Sequence, residues 1–438
     1  MQLRALLPRF IRTRIKKHVS LVVTLLPYKI RNNIIAMTLT EAAEKRIDLV
    51  SDRKFYISSS CSENLKKNLK KTGLLLDGLP SGFVKEFFSF VTGHVSNSGS
   101  IEKELRTQIL ATPAEALSAE DWIGLYGVAC RSGVYRLALP FRDKALRSVL
   151  IQGSDYVCKK KYIAAAIELE EIRGEELERL ICDSNLPQVD KDLFLSHSLF
   201  SGLLFKDSAV SLHDPGFYDH TNGKTLAIVG PSKYDATYAH EIDAHDEIVR
   251  LNYQISGKGC DPDKTGEKTT ISYFNGEQGN VLVGEGRGEL PCELSYACFK
   301  SSRAALQASG INPSVRCREF INFNPTLFNG TLNLGPLTIL DVLLHEAAEV
   351  KLYFMDLMLT VDRFSGYYPA AFNRDDSNAL VRTFNIGMVN HDPVTQYRLL
   401  ERLWRAKKID GDKRFNEVMQ LGCGEYMNQL QNKYSVIH

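Results

Sequence analysis

The order of apolar and polar positions divides the chain into a helix-patterned first half and a mixed second half. Ser118-Ala119-Glu120-Asp121 has the form of a helix cap, Trp122, Leu125, Tyr126 and Ala129 follow at helical spacing, and Gly133 breaks the pattern. A second helix carries Tyr135, Leu139, Ala145 and Leu146, and a third runs from about Tyr156 to Ile172. Upstream, Leu65 to Lys71 reads as a solvated basic helix stopped by Gly73. The small and aromatic residues of these paired helices are those of a tetratricopeptide-like hairpin, yet no fixed period repeats. Leu193 to Phe205 is uncharged and predicts a buried helix too short for a membrane span, with His197 as a core histidine. Asp207 to Gly223 is polar, contains Pro215 and Gly216, and marks a boundary.

Beyond that boundary the pattern changes. Leu226-Ala227-Ile228-Val229 is a buried strand that stops at Gly230, a tight turn where backbone amides can face a ligand. Phe320 to Phe323 is strand-like and ends at Asn324-Pro325. Gly335-Pro336-Leu337-Thr338 opens an apolar helix through Leu344, and Glu349 to Phe354 alternates as a strand. Strand, loop, helix and strand again predict an α/β layer with a largely parallel sheet. The expected organisation is a basic amphipathic segment over 1–40, a helical accessory domain over 41–215 and an α/β domain over 216–438.

A chain of 438 residues exceeds one average domain, and 44% apolar with 24% charged residues is a globular composition. A net charge of +2 argues against bulk nucleic-acid binding. Residues 1–40 nevertheless contain no acidic residue. Leu3, Leu6, Leu7 and Phe10 share a helical face opposite Arg9, Arg12 and Lys16, so an anionic membrane surface is one expected partner of residues 1–35 and a basic packing arm is the alternative. Val19 to Leu26 is too short to span a bilayer and ends at Pro27. The nine cysteines form no paired short spacing, which points to buried thiols in the cytoplasm; membrane attachment through residues 1–35, where it is the alternative that holds, would make that placement peripheral at the membrane's cytoplasmic face. Asn329-Gly330-Thr331 is a chance sequon, and Gly284 to Gly288 is a loop without the Lys-Ser/Thr of a phosphate loop. Asp261-Pro262-Asp263 and Asp375-Asp376 read as solvated loop carboxylates, so no metal and no other cofactor is expected.

Several ordered anchors are more specific. Ile228-Val229-Gly230-x-Ser232, Ile242-Asp243-x-His245-Asp246, Val249-Arg250-x-Asn252 and Gly266-x-Lys268-Thr269-Thr270 together resemble the large sialylmotif of the eukaryotic-type sialyltransferases, glycosyltransferase family 29. Pro336-x-Thr338 with Glu349-Val350-x-x-Tyr353 resembles the small sialylmotif, and His391-Asp392-Pro393 the very small one. The resemblance covers about 220–415 and departs at named positions. Pro231 stands in place of the family's Asn, Leu337 and Ile339 flank Thr338 in place of Ser and Gly, and Gln396 replaces an acidic residue five positions after the histidine. Leu226 and Ala347 occupy the positions of the family's paired cysteines, so that disulfide cannot form, which favours a divergent, bacterial-type member in a reducing compartment.

The resemblance implies a Rossmann-like, GT-A-like glycosyltransferase domain and a metal-independent, inverting transfer of a sugar acid from a cytidine monophosphate (CMP) donor in polysaccharide biosynthesis. Sialic acid and 3-deoxy-manno-octulosonate (Kdo) donors share the features these motifs would meet, and a glycan or glycolipid hydroxyl would accept. His391 is the implied general base, a role an imidazole suits near pH 7; Asp392 either orients it or caps the next helix. Gly230 and Ser232 can approach a phosphate, and Asn252 offers an amide to the nucleotide. Thr338 can meet the donor carboxylate or simply cap its helix, while Tyr367 and Tyr368 fall where the family places an aromatic segment near the leaving phosphate. Asp243, His245 and Arg250 read as a structural network of the motif. The alternative is a catalytically degenerate protein of the same fold that acts as a binding or adaptor module. A dinucleotide-binding enzyme is disfavoured because no Gly-x-Gly-x-x-Gly follows the strand.

Overall fold

A computed structural model describes residues 83–91, 98–153, 159–204, 214–253, 261–284, 290–364 and 377–435. The basic segment over 1–40, the helix expected at 65–71, and Asp375 and Asp376 lie outside the described residues.

The first half is helical: α1 (Phe83–Val91), α2 (Ser98–Ala111), α3 (Ala119–Arg131), α4 (Tyr135–Gln152), α5 (Lys159–Leu169), α6 (Gly174–Cys182) and α7 (Gln188–Phe200). α3 starts where its cap predicts, with Ser118 Oγ accepting the Asp121 N–H at 3.1 Å. Its apolar face, Trp122, Leu125, Tyr126 and Ala129, is buried. α7 begins earlier than its apolar run, behind Pro187, and stops at Phe200 because Gly202 turns the chain at φ 70°. His197 is buried on it, with Nδ1 2.9 Å from Thr326 Oγ1, and burial pushes its pKa down to about 3.

The second half continues as α8 (Pro215–Thr221), β1 (Thr225–Val229), α9 (Ala239–Asp243), β2 (Glu247–Leu251), α10 (Pro262–Thr265), β3 (Ile271–Phe274), α11 (Gly276–Gly284), β4 (Tyr296–Phe299), α12 (Ser302–Ser309) and β5 (Arg316–Glu319). It ends with α13 (Leu334–Leu344), β6 (Glu349–Tyr353), α14 (Ser377–Asn390), α15 (Pro393–Arg405), β7 (Asp410–Gly411), α16 (Lys413–Gln420) and α17 (Gly422–Tyr434). Among the described residues the sheet has seven strands in the order β5-β4-β3-β2-β1-β6-β7, all parallel. This is a Rossmann-like α/β layer. Alternate residues of β1 serve two cores: Leu226 and Ile228 pack with α13, whereas Ala227 and Val229 pack with Ile242, Tyr353 and Phe364. Both faces of the strand are therefore covered, which is why it reads as a continuous apolar run.

The strand expected at Phe320–Phe323 is one segment too late. β5 is Arg316–Glu319, an edge strand of polar sequence; Phe320 N–H makes a last bond to Phe299 O at 3.0 Å, and Ile321 N–H turns instead to Asp341 Oδ1 at 2.9 Å. Phe320 and Phe323 are buried as packing residues below the sheet edge, which gave them the apolar pattern of a strand. The helical first half does not close on itself either. α3 and α4 pack on α14 and α17, Arg136 reaches Asn428 and Asn432, and one continuous core runs through both halves. Among the described residues no helix is long and apolar enough to cross a membrane.

Candidate functional site

The strands β1 to β5 spread to one side of β1, and the chain then returns to place β6 on the other side. The carboxyl ends of β1 and β6 thus flank a topological switch point, where open α/β sheets leave a crevice for ligands. α13 and α15 each lead into a strand parallel to β1, so their N-termini return to this same edge. It holds an unusual run of backbone conformations: Asn252, Phe354, Leu357 and Met358 have φ of 54°, 54°, 51° and 73°. Left-handed non-glycine residues clustered at strand ends are a mark of a constrained site.

Gly230 follows β1 and donates its N–H to Tyr353 O at 2.7 Å. A Cβ at this position would collide with Phe354 O, so the glycine serves the approach of β6 to β1 rather than contact with a phosphate. Ser232 is buried, and its Oγ donates to Asp356 Oδ1 at 2.8 Å, which occupies the hydroxyl proton expected to meet a donor. Asn252 ends β2; its Oδ1 accepts the Asn275 N–H at 3.0 Å, while Nδ2 has no protein partner among the described residues. Met355 ties these ends together. A Cβ added at Gly230 would lie 3.1 Å from Met355 Cβ, and one added at Gly335 would lie 3.1 Å from Met355 Cε and 3.7 Å from Leu251 Cδ1.

Thr338 lies one turn into α13, fully buried, and its hydroxyl has no hydrogen-bond partner among the described residues. The groups at the helix entrance are instead the backbone amides near Leu334 and Gly335. Tyr367 and Tyr368 lie outside the described residues.

His391 sits just before α15, partly buried. Its Nδ1 is 3.2 Å from both the carbonyl and the hydroxyl oxygen of Thr331. The carbonyl can only accept, and the Thr331 hydroxyl donates to Asn390 O at 3.3 Å, so Nδ1 carries the proton and Nε2 the lone pair. Burial lowers the His391 pKa, the Thr331 carbonyl offsets part of that, and the positive charge of Lys300 lowers it further. The ring is therefore neutral at pH 7, and Nε2, which bears the lone pair, has no hydrogen-bond partner among the described residues. The loop that holds it depends on Gly330, where a Cβ would meet Asn390 O at 2.7 Å and Asp392 Cβ at 3.2 Å.

Asp392 does not orient this imidazole. Its carboxylate faces the helical half: Oδ1 accepts Tyr126 Oη at 2.6 Å and the Thr395 N–H at 3.1 Å as the cap of α15, and Oδ2 accepts Arg142 Nε at 2.7 Å. Gln396 makes the link the sequence reading missed. Its Nε2 donates to His391 O at 2.6 Å and its Oε1 accepts the Asn333 N–H at 3.1 Å, joining His391 to the start of α13. A glutamate could make the second bond but not the first. Thr331 was also legible, inside Asn329-Gly330-Thr331, but a sequon pattern carries no sign of a histidine sixty residues away. Asn275 and Asp356 had no sequence signal beyond their places after strands.

Asp243 and Arg250 brace the 265–269 segment that leads into β3, while His245 bonds elsewhere. Arg250 Nη2 donates to Thr265 O and Gly266 O, both at 2.8 Å, and Nε donates to Thr269 Oγ1 at 2.8 Å. Asp243 accepts the N–H groups of Glu267 and Lys268 at 3.0 and 3.1 Å, and His245 Nδ1 lies 2.9 Å from Glu241 O. Asp261 uses its backbone carbonyl to start α10, accepting the Lys264 N–H at 2.9 Å. Among the described residues no group of three or more His, Cys, Asp or Glu side chains is arranged to hold a metal. A cavity of about 520 Å³ opens at the opposite edge of the sheet, lined by Val350, Trp404, Lys407 and Asp410, and none of the expected site residues reaches it.

No family model matches the chain, and no curated protein matches its sequence. Among solved structures it is similar to the crystal structure of a mammalian sialyltransferase in complex with Gal-beta-1-3GalNAc-ortho-nitrophenol, at 15% identity over 54% of this chain and 84% of that one, with a TM-score of 0.28.

Proposed function

We propose that this chain is an inverting glycosyltransferase that moves a CMP-activated sugar acid, sialic acid or Kdo, to a glycan or glycolipid hydroxyl. The observation that carries the reading is His391: a neutral, partly buried imidazole whose Nδ1 proton is held at Thr331 and whose Nε2 has no partner among the described residues, joined through Gln396 to the helix that enters the switch-point edge. In the reaction, Nε2 takes the acceptor hydroxyl proton as that oxygen bonds to the anomeric carbon, and the cytidylate leaves from the opposite face. The Thr331 carbonyl favours the imidazolium that forms, because it accepts from Nδ1–H in both charge states. Asn252 Nδ2 and the first-turn amides of α13 are the donors that remain for the nucleotide and the sugar carboxylate.

A second reading has its own observation. Ser232 is committed to Asp356, and Leu337 and Thr338 are fully buried, so none of these three positions that the resemblance gives to the donor presents a free side chain at the surface. A degenerate site acting as a binding module would look the same there. Calorimetric titration with CMP, followed by hydrolysis assays with CMP-sialic acid and CMP-Kdo, separates the two. Saturable heat and release of CMP from one donor are expected for the enzyme; neither would appear for the module. His391→Ala should keep CMP binding and lower turnover by about 10²-fold, and unchanged turnover in that variant would remove His391 from the base role.

A further inference from the structure

A buried charged cluster joins the helical half to the segment that carries His391. The Arg142 guanidinium, on α4, is fully buried. It donates through Nε to Asp392 Oδ2 at 2.7 Å, and through Nη2 to Glu168 Oε2 at 2.8 Å and Thr395 Oγ1 at 2.7 Å. Its Cζ also stacks 4.7 Å from the centre of the Phe328 ring. Tyr126, on α3, adds a hydroxyl donated to Asp392 Oδ1 at 2.6 Å.

Besides Glu168 on α5, this guanidinium touches the two segments that hold the imidazole. Asp392 and Thr395 follow His391 directly, and Phe328 begins the turn that presents Thr331 to Nδ1. We propose that Arg142, supported by Tyr126, is a positioning residue for His391: it clamps the 391–395 and 328–331 segments together so that Nδ1 stays on Thr331 and the ring keeps one tautomer, with the lone pair on Nε2.

Chemistry favours this over a purely packing role. A buried ion cluster is weak evidence for stability, since well-packed apolar side chains of similar volume serve as well, whereas a fixed fork of donors sets the relative position of the groups it bridges. A lysine supplies the charge and three donors from a single point, but not the separated Nε and Nη2 positions from which Asp392 on one side and Glu168 with Thr395 on the other are held. The helical half is thereby part of the site and not an appendage to it.

The proposal rests on the reading of His391 as base, and its test separates the two. Arg142→Lys retains the charge and Tyr126→Phe removes a single hydroxyl, so Tyr126→Phe serves if the lysine variant does not fold. Nitrogen NMR of His391 is read first. The wild type should show one tautomer, protonated at Nδ1, and the folded variants a mixture with a pKa moved back toward the ordinary histidine value. An unchanged tautomer and pKa in a folded variant overturns the positioning role, whatever the activity. Turnover of the CMP donor should fall about 10-fold or more with its KM within about twofold. A uniform rise in KM at constant kcat would also overturn the role. If the NMR signals shift while His391→Ala retains full turnover, the positioning stands and the base reading fails.

Discussion

Gln396→Glu tests the geometry at the base most directly, because it restores the acidic residue type that the sequence resemblance leads one to expect at this position. Gln396 is 4% exposed, and its amide acts both ways, donating to His391 O at 2.6 Å and accepting from Asn333 N–H at 3.1 Å. A carboxylate keeps the second bond and loses the first. The lost bond and the carbonyl left facing an anion together cost about 2–3 kcal/mol. Two helix N-termini meet at this point, and their partial positive charge returns about 0.5–1 kcal/mol. The net expectation at pH 7 is a loss of about 1–2 kcal/mol.

The pH dependence has a definite sign. Once protonated, the introduced carboxyl can donate to His391 O, and burial beside that carbonyl raises its folded-state pKa above the unfolded value of about 4.3. A raised pKa stabilises the fold below the unfolded pKa and loses that contribution as pH rises through the folded one. The gap to wild type should therefore be small near pH 4.5 and full by pH 8. Urea denaturation of wild type, Gln396→Glu and Gln396→Met at several pH values measures it, the Met variant giving a gap that pH does not change. A Gln396→Glu protein within about 0.5 kcal/mol of wild type at pH 7, or with a gap independent of pH, would refute the two-way role of this amide.

Gly230→Ala forces a methyl against the Phe354 carbonyl and should cost about 2–3 kcal/mol in urea denaturation, whereas Gly276→Ala, which meets nothing within 4 Å at the start of α11, should be neutral or slightly stabilising. A neutral Gly230→Ala would show that β1 and β6 do not approach as described. His197 stays neutral in the fold down to about pH 3 while the unfolded chain protonates near 6.5. A lowered folded-state pKa means stability is lost as pH falls, by about 2 kcal/mol between pH 7 and 5. His197→Asn, which places an amide where Nδ1 meets Thr326, should lose correspondingly less over that interval, and equal slopes for the two proteins would rule out His197 as the source.

What could be read from the sequence follows from which contacts are local. β1, α3, α13 and β6 were legible because each carries its apolar pattern within a dozen residues: α3 adds its own cap, β1 is buried on both faces, and β6 alternates buried with more exposed positions. β5 was not, because a polar edge strand makes no pattern and its place was taken by Phe320 and Phe323, apolar for another reason. His391 was legible as a residue but its partners were not. Asp392, adjacent in sequence, points away to Arg142, while Thr331 and Gln396 reach the histidine through a carbonyl and an amide that have no compositional signature.

The same contrast bears on how far residue identity alone fixes a site. Asn252 and Ser232 match the resemblance equally well, yet the fold leaves an open amide nitrogen on the first and spends the hydroxyl of the second on Asp356. The difference comes from backbone. Asn252 adopts the left-handed conformation that its short amide tolerates, which aims its Oδ1 at the Asn275 N–H and leaves Nδ2 without a partner among the described residues. Ser232 is paired by its own N–H to Phe354 O and bridged to Arg363, so its side chain is turned inward, against a carboxylate that enters after β6. If the donor site forms as proposed, Asn252→Asp should weaken CMP binding by about 10-fold, since it exchanges the free donor for an acceptor facing an anion, and Ser232→Ala should leave CMP affinity within about twofold while lowering stability, because Asp356 loses its partner. The reverse order of effects, read by calorimetry and urea denaturation on the same two proteins, would place the nucleotide on the β1 turn and require Ser232 to leave Asp356 when ligand arrives.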